Sequence, residues 1–189
     1  KRSNLKSNPI KKCAWCKAKF TAHHPMVRVC SVKCSIEWLN TQDSKKHVAK
    51  ARNVEKRGIK LALKTKSDWV KDVQQVFNKF IRLRDNEDSC ISCGKPASTT
   101  PNQWDCGHYR SVGSAPELRF IEENSSKQCK RCNRELSGNI VEYRIRLIDK
   151  IGADKLAWLE GPHKPKRYTI DDLKELNALY KRKVKEILQ

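Results

Sequence analysis

The sequence predicts a small α+β fold stapled by bound metal, on three observations. Eight of its nine cysteines stand in four close pairs. Helical patterning occupies residues 40–66, 67–84, 141–151 and 170–188. Between residues 89 and 138 that patterning is lacking and turn residues accumulate. A chain of 189 residues suits one ordinary domain or two small ones.

The pairs Cys13-x2-Cys16 and Cys30-x3-Cys34 form one set, and Cys90-x2-Cys93 and Cys129-x2-Cys132 a second. Two such pairs brought together place four thiolates around a tetrahedral zinc ion. Two structural Zn²⁺ sites are therefore expected, and each lowers the charge by two. Cys106 is the unpaired ninth cysteine and reads as small buried filler. His23 and His24 read as loop residues, since four cysteines already complete the first site.

The net charge of +20 is unevenly placed. Residues 1–40 hold nine Lys/Arg against one acid, and residues 41–66 hold nine against two, so fifteen of the twenty net charges fall in the first third. Such a block of one sign is the footprint of an arm that grips a polyanion, here nucleic acid. No run of 18 apolar residues exists, which argues against a membrane partner. Lys11, Lys12, Lys17 and Lys19 interrupt what a signal peptide would need as an apolar core, so a cytoplasmic location is expected.

Three parts follow in order. Residues 1–39 are a basic tail, loose over 1–12, and a zinc module whose folding energy comes from metal. Residues 40–66 are a basic helical linker with too few apolar positions to bury a stripe. Gly58 is expected to break it. Residues 67–189 are the main domain. Ser67 is the expected N-cap of a helix to Arg84, with Val70, Val73, Phe77, Phe80 and Ile81 on its apolar face. A knuckle at Cys90 to Gly94, a hairpin across 103–121 and a short helix from Cys129 to Gly138 come next. Val141 to Ile151 forms a helix stopped by Gly152. Thr169 and Asp172 make a capping box for the last helix, 170–188, with Leu173, Leu176, Leu179, Tyr180, Val184 and Ile187 on its apolar face.

The second cysteine set suits a treble-clef arrangement: first pair on a knuckle, second pair on a helix's first turn, a hairpin between. "WDCGHYR" falls on that hairpin, and "CNRE" puts Asn133 directly after the last ligand. Here the chain resembles the His–Asn–His (HNH) nucleases, whose ββα-metal element holds one divalent cation. It is more similar still to the NinG (Rap) family of lambdoid phages. "KLALKTKSDWV", "CISCG", "WDCGHYR", "PELRF", "KQC…CN", "SGN" and "YTIDD" carry the likeness, over about residues 59–189. The resemblance implies a metal-dependent, structure-selective DNA endonuclease. Its substrates would be branched recombination intermediates (Holliday junctions, D-loops), cut in the infected host's cytoplasm alongside other phage recombination proteins.

Phosphodiester hydrolysis asks for the same residue types. Histidine is poised to take a proton from water near neutral pH, so His108 is the candidate general base. A hard cation, Mg²⁺ or Mn²⁺, neutralises charge on the phosphate and takes oxygen ligands, here Asp105 and Asn133. Asn124 matches the middle Asn that braces the loop through backbone hydrogen bonds. The family's acid commonly sits immediately before the histidine; Gly107 stands there instead. On a regular strand Asp105 and His108 would face opposite sides, and a bulge or turn at Gly107 would realign them. Asp105 could otherwise pair with Arg110 or Arg119, and Trp104 and Tyr109 read as core. The candidate DNA-binding residues are Lys45, Lys46, Lys50, Arg52, Lys56, Arg57, Lys60, Lys64 and Lys66 on the arm, and Arg110, Arg119, Arg131 and Arg134 near the site. Rival readings are a non-catalytic zinc-ribbon DNA-binding protein and a general HNH nicking or restriction enzyme. One site per chain and two cuts per junction imply a homodimer, with the apolar faces of helices 67–84 and 170–188 as its candidate surfaces.

Overall fold

The computed structural model describes residues 9–97 and 103–189. The loose tail expected at the start lies, over residues 1–8, outside the described residues. The chain divides into two units, residues 1–63 and 64–189, each an α+β assembly around one short antiparallel sheet. No described helix is long and apolar enough to cross a membrane.

In the first unit β1 (Ile10–Lys12) pairs with β2 (Lys19–Thr21), Lys11 opposite Phe20. The turn between them carries the first cysteine pair, and Lys17 closes it with φ 62°. Ser31 caps α1 (Val32–Leu39) by accepting from the amide of Cys34, which seats Cys30 just before the helix and Cys34 in its first turn. Thr41 then caps α2 (Gln42–Ala62), which runs unbroken through Gly58. The expected break there is corrected. An exposed glycine costs a helix only ~1 kcal/mol relative to alanine, too little to stop 21 residues.

In the second unit α3 (Lys66–Arg84) starts one residue before the expected cap. Thr65, not Ser67, closes the capping box: its hydroxyl accepts from the Asp68 amide, and the Asp68 carboxylate takes the Thr65 amide. The mirror arrangement at Thr169 and Asp172 opens α6 (Ile170–Ile187), as the sequence predicts. The two helices pack on each other. Val73, Phe77, Phe80 and Ile81 meet Leu173, Tyr180 and Val184, with the Phe77 and Tyr180 rings edge-on at 4.9 Å. The buried parts of their apolar faces therefore cover each other within one chain.

The hairpin differs from expectation in its second strand. β3 (Trp104–His108) pairs with β4 (Ser125–Cys129), so the return strand comes after residue 121 and the connection 109–124 holds a 3₁₀ turn at Pro116–Leu118. β4 reads SSKQC, is polar, and is buried at every position. Its backbone is held by the end of α3: the Lys127 amide donates to the Asp85 carboxylate at 3.0 Å, and Arg84 donates to the Ser125 carbonyl at 2.8 Å. Beyond β4 the expected short helix is a single π-helical turn, Arg131–Glu135. α4 (Ile140–Ile151) ends at Gly152 as expected, and α5 (Ala153–Glu160), not foreseen, follows it. Tyr143, Leu147, Leu156 and Leu159 pack with Ile91, Tyr109 and Leu118 into a second apolar cluster. The hairpin thus lies between two cores, with Cys106 turned to the α3 side and the Gly107 carbonyl accepting from Tyr143 on the α4 side.

Candidate functional site

Both cysteine sets converge. In each, the four Sγ atoms lie within 4.8 Å of one another. Sulfurs 2.3 Å from a tetrahedral zinc stand about 3.8 Å apart. Cys16 to Cys30 at 3.5 Å, Cys30 to Cys34 at 3.7 Å and Cys93 to Cys129 at 3.8 Å fit that spacing. The amides of Cys30 and Cys129 donate to the sulfurs of Cys13 and Cys90, at 3.4 and 3.3 Å. Both clusters can hold zinc. The first knuckles of the two sets repeat bond for bond: Cys13 N to Ala18 O matches Cys90 N to Lys95 O, and Lys17 N to Cys13 O matches Gly94 N to Cys90 O. Gly94 (φ 69°) adopts the left-handed turn without cost, whereas Lys17 takes it as a side-chain-bearing residue. His23 and His24 join neither cluster.

Cys106 is 8% exposed against Phe77 and Phe120, and burial pushes its thiol up to about 12. It is core filling, as read from the sequence. Tyr109 is also buried, and Trp104 packs against the second cysteine cluster.

The hairpin and the π-helical turn bring Asp105 and Asn133 together. Asn133 Nδ2 donates to Asp105 Oδ2 at 3.1 Å. Arg134, the next residue, grips the same carboxylate with both arms of its fork, at 2.7 and 2.9 Å. Burial would raise the Asp105 pKa, but the bonds from Arg134 and Asn133 outweigh it and hold the carboxyl below its ordinary value. The partner of Asp105 is thus Arg134, not Arg110 or Arg119.

His108 is not part of that group. The β3–β4 register is continuous from Trp104 opposite Cys129 to His108 opposite Ser125, with no bulge at Gly107. Three residues apart on a regular strand, Asp105 and His108 face opposite sides, about 10 Å apart along the chain. The reason for the glycine is space: a Cβ at Gly107 would stand 2.1 Å from Gln128 Oε1. The His108 ring tilts against Phe77 at 6.1 Å, and its Nε2 lies 3.0 Å from the Arg119 carbonyl oxygen. A carbonyl only accepts, so Nε2 carries the proton and Nδ1 is left as the basic nitrogen. Burial lowers the His108 pKa, the Arg119 carbonyl partly opposing it and the Arg119 charge adding to it.

Asn124 is fully buried and ties the connection together. Its Oδ1 takes the Arg110 amide at 2.8 Å, and its Nδ2 donates to the carbonyls of Arg110 and Leu118. Among the basic candidates, Arg110 is engaged with the carbonyls of Leu159 and Glu160. Lys64 pairs with Asp72 and lies over the Trp69 ring, so it belongs to the packing of the second unit. Lys45, Lys46, Lys50, Arg52, Lys56, Arg57 and Lys60 are exposed on α2, Lys66 at the start of α3, and Arg131 on the π-helical turn. At 100° per residue the seven α2 cations share one side, opposite Ala51 and Ala62.

Two features escaped the sequence reading. Arg134's hold on Asp105 needs the three-dimensional register between strand and turn. The set Arg84, Asp85 and Lys150, which braces β4, has only the adjacent Arg-Asp pair as its trace in the sequence.

The family model described as "Bacteriophage Lambda NinG protein" matches residues 5–189. The protein ninG of Escherichia phage lambda is 48% identical over 128 residues, 68% of this chain and 61% of that protein. Those of Salmonella phage P22 and Escherichia phage 933W are 48% and 46% identical over the same length, 62% of each. The matched stretch thus spans under two thirds of these curated relatives. No solved structure matches. With its family model spanning nearly the whole sequence, the chain belongs to the NinG family.

Proposed function

We propose that the chain is a metal-dependent, structure-selective DNA endonuclease of the HNH type, acting on branched recombination intermediates such as Holliday junctions and D-loops. One observation carries the reading. A hairpin followed by a cysteine-stapled turn sets a carboxylate and an amide side by side, Asp105 and Asn133, while the same strand carries a histidine whose Nδ1 is its basic nitrogen. The set suits a treble-clef ββα-metal unit.

In this reading Asp105 and the Asn133 amide oxygen would hold Mg²⁺ or Mn²⁺, whose oxygen preference they fit. The cation, when bound, neutralises charge on the phosphate and the leaving oxygen. His108 takes the proton of the attacking water at Nδ1, with the Arg119 carbonyl holding its tautomer. Asn124 keeps the connection 109–124 in shape, so the carbonyl stays in place. The scissile phosphate lies along the free edge of β3, where the two faces of the strand meet. The exposed cations of α2 supply most of the grip on the DNA backbone. Two cuts across a four-way junction need two such chains, so the acting form is a two-fold dimer.

A second reading has its own support. The Asp105 carboxylate is already engaged by Arg134, and His108 faces the other side. That suits a zinc-stapled DNA-binding protein without catalysis. A Mg²⁺ cleavage assay on four-way junction, flap, single strand and linear duplex separates the two. His108→Ala should lose roughly 10²–10⁴-fold in rate while junction binding survives. Near-normal cleavage by this variant removes the mechanism; absence of cleavage by the unaltered chain leaves the binder. Preference for linear duplex would favour a general HNH nuclease.

A further inference from the structure

The segment of residues 161–168, GPHKPKRY, joins α5 to α6 and carries Lys164, Lys166 and Arg167 without one acid. Pro162 and Pro165 restrict its backbone. Both ends are fastened to the connection that follows His108. Arg110 donates to the carbonyls of Leu159 and Glu160, just before the segment, at 3.1 and 3.3 Å. At its far end the buried Tyr168 donates its hydroxyl to the Glu117 carbonyl at 3.3 Å, and its ring meets Phe120 edge-on at 5.4 Å. Arg119 lies between those two contacts in sequence, and its carbonyl holds the His108 ring. Three exposed cations and the half-buried Arg119 therefore lie on or beside the connection that follows His108.

What sets the three exposed cations apart is their place, on one segment tied at both ends to the connection that follows His108. Elsewhere in the second unit, Arg84, Arg134, Arg144, Lys150, Lys155 and Lys183 each hold an ion pair. Among the described residues, Arg119, Lys164, Lys166 and Arg167 hold none. Of the acids near the segment, Asp172 caps α6 and Glu160 is paired with Arg144. Lys166 stands over the Tyr168 ring at 4.8 Å, which leaves its ammonium exposed. A half-buried guanidinium with no anion of its own, beside three cations on a stiffened strap, matches a ligand that brings several negative charges in a row.

We infer that residues 161–168 and Arg119 form a DNA-backbone track of the second unit, in addition to the cations of α2, that seats the phosphates next to His108. The inference rests on the DNA substrate proposed above and adds where the second unit touches it. Specificity does not come from such contacts; register does.

The test uses the full chain with zinc and an oligonucleotide four-way junction. Lys164→Gln, Lys166→Gln and Arg167→Gln are combined in one variant. A second variant of equal charge change carries Lys79→Gln, Lys181→Gln and Lys185→Gln, all exposed on α3 and α6. The slope of log affinity against log salt should fall by roughly 2 to 3 in the first, at about 0.9 for each phosphate no longer neutralised, and by much less in the second. Arg119→Gln should lower it by about 1. Unchanged helix content and zinc stoichiometry show that the folds are kept. An unaltered slope in the first variant, or an equal fall in both, overturns the inference and leaves the endonuclease reading standing. Failure of the unaltered chain to bind any of these DNAs overturns both.

Discussion

The ring of His108 is held on one side by Phe77 and at Nε2 by the Arg119 carbonyl, and burial keeps it from taking a second proton. Its folded pKa lies below the ordinary value of about 6.5. The base form therefore persists below pH 6.5. The acid limb of the cleavage rate, measured on a junction, should lie on the acid side of that value. A limb above pH 6.5 would contradict the placement of His108. Arg134 yields a second expectation. Its fork occupies the carboxylate that would hold the cation, yet its own side chain is 61% exposed. An exposed ion pair is screened by water and easily given up. Arg134→Gln should thus tighten Mn²⁺ binding by roughly two- to fivefold, read by electron paramagnetic resonance, and Asp105→Asn should abolish it. Equal or weaker binding in Arg134→Gln would show that the fork does not compete. The neighbourhood of Asp105 and Asn133 was legible in the sequence, because the cysteine spacing ties their two elements to one ion. The position of His108 across the strand was legible only as what a regular strand would give, and pairing alone decides that no bulge intervenes.

The strands and helices differ in how plainly the sequence announces them. α3, α4 and α6 carry apolar residues at three- and four-residue steps, and Thr169 with Asp172 marks its helix start outright. β4 has no apolar pattern, because its partners are polar: Asp85, Arg84 and the Asn86 carbonyl take up its backbone and Lys127. α5 was missed because eight residues between two glycines give too short a window for periodicity. The packing of Gly107 against Gln128 leads to a prediction at this scale. Gln128 is fully buried, and its amide nitrogen is held by Ser92 and the Gly138 carbonyl. It cannot step aside for a methyl group built 3.0 Å from its own Cβ and closer still to its Oε1. Gly107→Ala should therefore cost roughly 1–3 kcal/mol by overpacking, seen as a melting temperature lower by several degrees. An unchanged melting curve would mean that the hairpin tolerates a shift of β4. Zinc stoichiometry should stay at two, since no cysteine ligand moves.

The two units of the molecule differ in what holds them. All three apolar clusters found among the described residues lie in the second unit, around α3 with α6, around α4 with α5, and at the second cysteine set. In the first unit the only buried apolar residues described are Cys13, Ala22 and Cys34, while Val54, Ile59 and Leu61 on α2 stand more than half exposed. Its charge is read directly from the sequence, and so is the cysteine cluster that can hold a metal. The homodimer, suggested by two cuts from one site per chain, is a question for light scattering, because the helix faces offered as its surfaces pack on each other in one chain. Removal of zinc should separate the units. A structural site in so small a module supplies its folding energy outright, at roughly 10–16 kcal/mol for zinc-finger peptides near pH 7. The second unit loses one staple but keeps its two larger apolar clusters. Titration with a strong chelator, followed by limited proteolysis and mass spectrometry, should therefore open residues 9–41 first. The Cys90 knuckle should follow, and the packed helices α3 and α6 should persist with most of their circular dichroism signal. Loss of protection in α3 and α6 at the chelator concentration that opens the first unit would show that the second zinc, not the apolar clusters, carries the larger domain.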